Sequence, residues 1–309
     1  MLALQKSPNA QHPALDDIAG WHDYITRTNA LMASMLPPLR DVQSQTLQIG
    51  GVPVYDIQPP QLAGQGRGIV LDLHGGALVL GAGAIAQRMG AAMAQRLGRR
   101  VWSVDYRMPP EHPYPAALDD ALAVYRQLLR HYTPQEVVVC GASAGGNLAA
   151  ALVLRARDEG LPLPAGLILI TPEVDLTESG DSFHTNAHLD AVLSPLMPVN
   201  QLYAAGADLR HPYLSPLFGD FSRGFVPTLL TAGTRDLFLS NAVRMHRALR
   251  CADIPAELHL LDAASHTGFV GAPEAEEITL ELRKFLAARL DTAAPAAEPP
   301  AAHAAVATS

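Results

Sequence analysis

Apolar runs without polar alternation recur along this chain, and a helix-patterned stretch follows each of them. The runs read GIVLDLHGG, RVWSVDY, EVVVC, AGLILI and VPTLLTAG. A strand with one wetted face alternates apolar and polar residues, so an unbroken run marks a strand covered on both faces. Between the runs stand stretches such as AIAQRMGAAMAQRLG and NLAAALVLRARDEG, rich in alanine and long unbranched side chains that suit helices. From about Gln45 to Leu290 this alternation predicts an α/β chain: a mostly parallel sheet of about eight strands with helices on both faces. Two short β patterns, QTLQI and VPVYDI, open the series and meet at Gly50-Gly51, a hairpin turn. AELHLLDA and a helix around PEAEEITLELRKFLAARL close it.

Two regions fall outside that rhythm. Residues 1–44 carry helical patterning, and the stretch from about 175 to 225 is irregular and mixed. Both are expected to form a helical cap on a 45–290 core, over the strand ends where α/β sheets place their sites. The tail, 291–309, is Ala/Pro-rich and expected to be disordered. Over the whole chain, 49% hydrophobic and 17% charged residues make a globular composition. A formal charge of −8 disfavours nucleic acid and anionic membranes, which need clustered Lys and Arg. No apolar run reaches the roughly 18–20 residues of a membrane span. The N-terminus shows no secretory pattern, so a cytoplasmic location is expected. Cys140 and Cys251 show no metal spacing and read as two buried thiols. No metal site is expected.

Gly141-Ala142-Ser143-Ala144-Gly145 matches G-x-S-x-G, a weak signal by itself. Its setting strengthens it: EVVVC precedes and an Ala/Leu-rich helix follows, as a nucleophile on a tight strand-to-helix turn requires. At a helix N-terminus the backbone also favours developing negative charge. His74-Gly75-Gly76-Ala77 follows an earlier strand and supplies small residues for an oxyanion loop. The expected donors are backbone N–H groups of Gly76, Ala77 and Ala144. A nucleophilic serine needs a base, and the base needs an orienting acid, in the chain order serine, acid, histidine. Of twelve histidines, His266 lies in a loop after a late strand. His259 falls within that strand, and His184, His188 and His211 fall in the cap segment. Asp236, beyond VPTLLTAG, is favoured as the acid over Glu173 and Asp175; Asp262 sits too near the end of its own strand.

Three segments carry a resemblance: HGGA at His74–Ala77, DYRMPPEHPYPAALDD at Asp105–Asp120 and GASAGG at Gly141–Gly146. The chain resembles the hormone-sensitive-lipase-like family of bacterial α/β-hydrolases over nearly all its length except the tail. That resemblance implies Ser143, Asp236 and His266 as a triad, and Gly75, Gly76 and Ala77 as the oxyanion loop. It also implies ester hydrolysis without cofactor or metal. Asp105–Asp120 would buttress the oxyanion loop, with Arg107 and Glu111 as an internal ion pair. Three departures stand out. HGGA replaces the usual HGGG, and a methyl at Ala77 opposes positive φ. GASAGG replaces GDSAGG, removing a carboxylate. Thr267 intervenes before the glycine that usually follows the histidine.

The expected activity is hydrolysis of small or short-acyl carboxylic esters through an acyl-enzyme. The same triad would open lactones or amides, and the same fold without catalysis would make a small-molecule receptor. Met32, Met35, Leu36, Phe183 and Leu214 could line an apolar pocket or serve as cap core. The oligomeric state stays open, a homodimer included.

Overall fold

The computed structural model describes residues 12–39, 41–60, 68–268 and 272–291. Apart from Asp291, the tail and its expected disorder lie outside the described residues. Helix α1 (Ile18–Met35) comes first, its N-terminus capped by the Asp17 carboxylate, which accepts the Gly20 N–H at 2.9 Å. Strands β1 (Gln43–Ile49) and β2 (Val52–Gln58) form the hairpin. Ile49 pairs with Val52 across Gly50 and Gly51, whose φ values of 61° and 86° are those a two-residue turn demands. Next come β3 (Ile69–Leu73), α2 (Ala84–Leu97), β4 (Arg100–Val104), α3 (Ala116–Leu128), β5 (Val137–Ala142), α4 (Ala144–Asp158) and β6 (Gly166–Ile170). The irregular stretch holds two short helices, α5 (Ser182–Thr185) and α6 (Met197–Ala204). β7 (Thr228–Gly233), α7 (Leu239–Cys251), β8 (Ala256–Leu261) and α8 (Pro273–Leu290) complete the chain.

All eight strands form one sheet in the order β1-β2-β4-β3-β5-β6-β7-β8. β2 runs antiparallel to both its neighbours, and every pairing from β4 to β8 is parallel. Strand periodicity divides the side chains between two cores. Ile69, Leu71 and Leu73 of β3 pack with α3, α4 and α7, whereas Val70 packs on the other face with α2 and α8. β3 hands the chain to β4 on one side and has β5 on the other, so the order reverses there. Loops leaving the carboxyl ends of such strands form a crevice. A third, smaller apolar cluster joins Trp21 of α1, Phe183 of α5, Leu196 at the start of α6, and Val199 and Leu202 of α6 to strand-end loop residues Val79, Leu80, Leu237 and Phe238.

Several expectations need correction. Cys140 is buried in β5, but Cys251 ends α7 beyond its last buried residue, Leu249, and is exposed. Arg107 does not pair with Glu111. Its guanidinium binds the Asp120 carboxylate at 2.8–3.1 Å, because Asp120 is buried near the start of α3 and needs a counter-charge. Glu111 instead faces solvent and meets His22 Nε2 of α1 at 2.5 Å. Leu214 belongs to the main core, and Met35 is exposed; Phe183 lies in the third cluster, and Met32 packs against that cluster. No described helix is long and apolar enough to cross a membrane.

Candidate active site

Ser143 sits between β5 and α4 with φ 56° and ψ −125°, a conformation that L residues hold only when their surroundings impose it. The glycines around it show what does the imposing. A Cβ on Gly145 would lie 1.9 Å from the Leu73 carbonyl oxygen, and one on Gly141 would lie 2.1 Å from that of Gly145. No side chain fits there. Backbone bonds then fix the turn: the Ser143 N–H donates to Ile170 at 2.9 Å, and its carbonyl accepts from Gly146 at 2.9 Å and Glu173 at 3.1 Å.

His266, in the loop after β8, places Nε2 2.9 Å from the Ser143 hydroxyl and Nδ1 3.1 Å from Asp236 Oδ1. Asp236 follows β7. Both Asp236 and His266 are buried, so their attraction is screened little by water. The Phe238 N–H donates to the same Asp236 oxygen at 2.9 Å, and the Phe238 ring stands edge-on to the imidazole, 5.0 Å between centroids. Three residues widely separated in sequence thus form one hydrogen-bonded line. The other acids do not join it. Asp175 binds Thr177, Ser179 and Arg244, and these bonds hold its carboxyl below the usual range. Glu173 is fully buried, and burial pushes its carboxyl up to about 8. Asp262 accepts from Thr234 at 3.2 Å. His259 lies in β8 beside Glu257, and His184, His188 and His211 are exposed.

The loop after β3 lies against the elbow. A Cβ on Gly75 would approach the Ala142 carbonyl oxygen to 3.0 Å and the Ser143 Cβ to 3.3 Å, so glycine permits that contact. Ala144 is the first residue of α4, where the helix leaves N–H groups without internal partners. Gly76 has φ 132°. The expectation that the Ala77 methyl would keep φ negative fails: Ala77 adopts 53° and Leu78 61°. This left-handed pair costs about 1–2 kcal/mol per residue. Hydrogen bonds from the Val79 and Leu80 N–H groups to Gly76, at 3.1 and 2.8 Å, and full burial of Leu78 offset it.

Behind the loop, His74 is buried with Nδ1 2.8 Å from the Gly75 carbonyl, so Nδ1 carries the proton; burial pushes its pKa down and keeps the ring neutral. Its ring stacks on Tyr106 at 4.2 Å, and the Tyr106 hydroxyl donates to the His74 carbonyl at 2.7 Å. The Asp105 carboxylate accepts the Gly83 N–H at 3.0 Å. Two contributors carry no motif in the sequence. Asn29 of α1 accepts the Gly81 N–H at 2.9 Å, and Phe238 braces the acid and the imidazole. Among the described residues no three His, Cys, Asp or Glu side chains gather as a metal site.

Comparison with known proteins agrees with this architecture. The sequence profile of the alpha/beta hydrolase fold matches residues 70–270. An esterase of Acinetobacter venetianus is 31% identical over 268 residues, covering 83% of this chain and 80% of that protein. An acetyl-hydrolase of Streptomyces hygroscopicus is 37% identical over 189 residues, 60% of this chain and 63% of its own length. A solved esterase from the bacterial hormone-sensitive lipase family superposes with a TM-score of 0.79 at 31% identity, covering 91% of this chain and 93% of that one. The chain belongs to the alpha/beta hydrolase fold family, within its hormone-sensitive-lipase-like group of esterases.

Proposed function

We propose that this carboxylic-ester hydrolase acts on small or short-acyl esters through an acyl-enzyme on Ser143, with His266 as base and Asp236 as orienting acid. The unbroken line from Asp236 Oδ1 through the His266 ring to the Ser143 hydroxyl carries the reading. His266 takes the hydroxyl proton as Ser143 attacks the ester carbonyl, and Asp236 stabilises the imidazolium that results. The backbone N–H groups of Gly76, Ala77 and Ala144 receive the oxyanion, and Gly75 keeps their loop close to Ser143. His266 protonates the departing alcohol, then draws a proton from the water that releases the acid. The N-terminal helix and the segment from about 175 to 225 form the cap. The third apolar cluster, which joins them to the strand-end loops, supports that division, and the similarity to an acetyl-hydrolase supports a short acyl group.

Purified Ser143→Ala should lose on the order of 10⁶ in kcat on a short p-nitrophenyl ester, and His266→Ala a similar factor. A fluorophosphonate should label the wild type stoichiometrically on Ser143. Wild-type hydrolysis by Ser143→Ala overturns the assignment.

A further inference from the structure

A carboxylate on a loop is held no better than the backbone that carries it. Asp236 is buried, yet its Oδ1 alone has hydrogen-bond partners, Phe238 N–H and His266; its Oδ2 has none. The stretch around it, 234–240, is bound from a distant part of the chain. Asn186 Nδ2 donates to the Asp236 carbonyl at 2.8 Å and to the Thr234 carbonyl at 3.1 Å. Asp190 Oδ2 accepts the Leu237 N–H at 2.7 Å. The Ser182 hydroxyl donates to the Leu237 carbonyl at 2.7 Å, and Ser182 and Ser240 each donate a backbone N–H to the other's hydroxyl at 2.9 Å. The same segment reaches the histidine loop, where the Ala191 N–H donates to Ser265 Oγ at 3.0 Å.

Asn186 and Asp190 are both buried, a costly place for an amide and a carboxylate unless their bonds are made. The free oxygen of Asp190, Oδ1, is spent on its own turn, accepting the Val192 and Leu193 N–H groups at 2.8 and 3.1 Å. Phe183, between Ser182 and Asn186, packs on Phe238 at 5.8 Å, and Phe238 in turn meets the imidazole. Neither Asn186 nor Asp190 bonds to Ser143 or His266, so any effect passes through the loops.

We infer that Asn186 and Asp190 are positioning residues that hold the acid and the histidine in register, so this inserted segment sets turnover as well as access. The inference rests on the triad proposed above. A displacement of about 1 Å at reacting groups costs up to about a hundredfold in rate.

The test uses the full chain, a short p-nitrophenyl ester, and Asp190→Asn, Asn186→Ala and Ser265→Ala. Asp190→Asn keeps size and an acceptor for its own turn, but turns an amide N–H against the Leu237 N–H. The expected result is a kcat lower by about tenfold to a hundredfold with KM within about twofold. The acid limb of kcat/KM against pH should also move down by about half a unit, because a displaced Asp236 stabilises the imidazolium less. Unchanged kcat and an unmoved limb overturn the inference, as does a kcat loss matching only the loss of folded protein. Ser265 is partly exposed, so Ser265→Ala decides the matter if the buried variants do not fold: it should show the same limb shift with a smaller kcat loss, and no shift overturns the inference. A wild type that neither hydrolyses the ester nor takes a fluorophosphonate on Ser143 would instead overturn the triad itself.

Discussion

Gly145, in the first turn of α4, and Gly160, just beyond its last turn, answer differently to a methyl group. At Gly145 a Cβ would lie 1.9 Å from the Leu73 carbonyl oxygen and 2.5 Å from that of His74. Relief requires α4 to back away from β3, and that motion carries Ser143 and the His74–Ala77 loop, the proposed oxyanion loop, apart. Gly145→Ala should therefore lose kcat by a hundredfold or so even where protein folds, since about 1 Å at the reacting groups is enough. At Gly160, φ is +71° and nothing lies within 4 Å. Gly160→Ala should cost about 1 kcal/mol of stability from backbone strain, with kcat unchanged. Urea unfolding beside steady-state kinetics separates the two outcomes; equal kcat for both variants would refute the packing argument. The G-x-S-x-G pattern marks Gly145 as part of a motif, but only the neighbouring Leu73 and His74 carbonyls show why it tolerates no substituent.

Among the elements, α1 depends on contacts that its own sequence does not announce. Trp21 is its only buried residue and ties its N-terminal half into the third apolar cluster; its C-terminal end is held by polar anchors. Arg88 of α2 reaches its C-terminal end, donating to the Ala33 carbonyl at 2.8 Å and the Pro37 carbonyl at 2.9 Å. A cation there pairs with carbonyls the helix leaves unsatisfied and with the negative end of its dipole. Arg88→Ala should cost about 1–2 kcal/mol locally. Limited proteolysis within 30–39 should speed up while the main thermal transition moves by only a degree or two; an unchanged cleavage pattern would show the anchor is dispensable.

The strands were legible because burial on both faces writes itself as an unbroken apolar run, and the long helices because of their alanine-rich patterning. The region 175–225 was not legible beyond its irregularity. α5 has four residues, too few for a period, and side-chain bonds to distant backbone hold the segment. Asp190 Oδ1 closes a local turn with Val192 and Leu193 N–H, but its other partner, Leu237, is 47 residues away. Chain order singles out Ser143, Asp236 and His266, the residues of the proposed triad, and the structure places them in one hydrogen-bonded line; the residues bracing that line carry no such signal.

At the scale of the whole molecule, two buried acids lower its stability as pH rises. Asp72 interrupts the apolar run of β3 and faces the α2–α8 core, flanked by Ser103 of β4, which donates to it at 3.1 Å, and by Cys140 of β5 in register. Burial pushes its carboxyl up to about 7, and that of Glu173 up to about 8. The run GIVLDL shows the acid at once, but its protonation depends on what covers both faces, which only the assembled sheet supplies. In the unfolded chain both groups ionise near pH 4, whereas the folded protein keeps their protons to about 7 and 8. Between those limits the folded state binds more protons, so unfolding becomes easier as pH rises, and the loss levels off above about 8. Each group can contribute about 4–5 kcal/mol to that decline. Asp72→Asn keeps an acceptor for Ser103 and removes the ionisable proton. It should match the wild type near pH 4 and exceed it in urea unfolding near pH 8, and Glu173→Gln should do the same with its window set higher. Below pH 4 neither variant gains anything, because both acids are then protonated in folded and unfolded chains alike. A wild type whose stability is level from pH 5 to 8 in both comparisons would mean that these carboxyls ionise in place, and that the sheet core admits charge more readily than its burial implies.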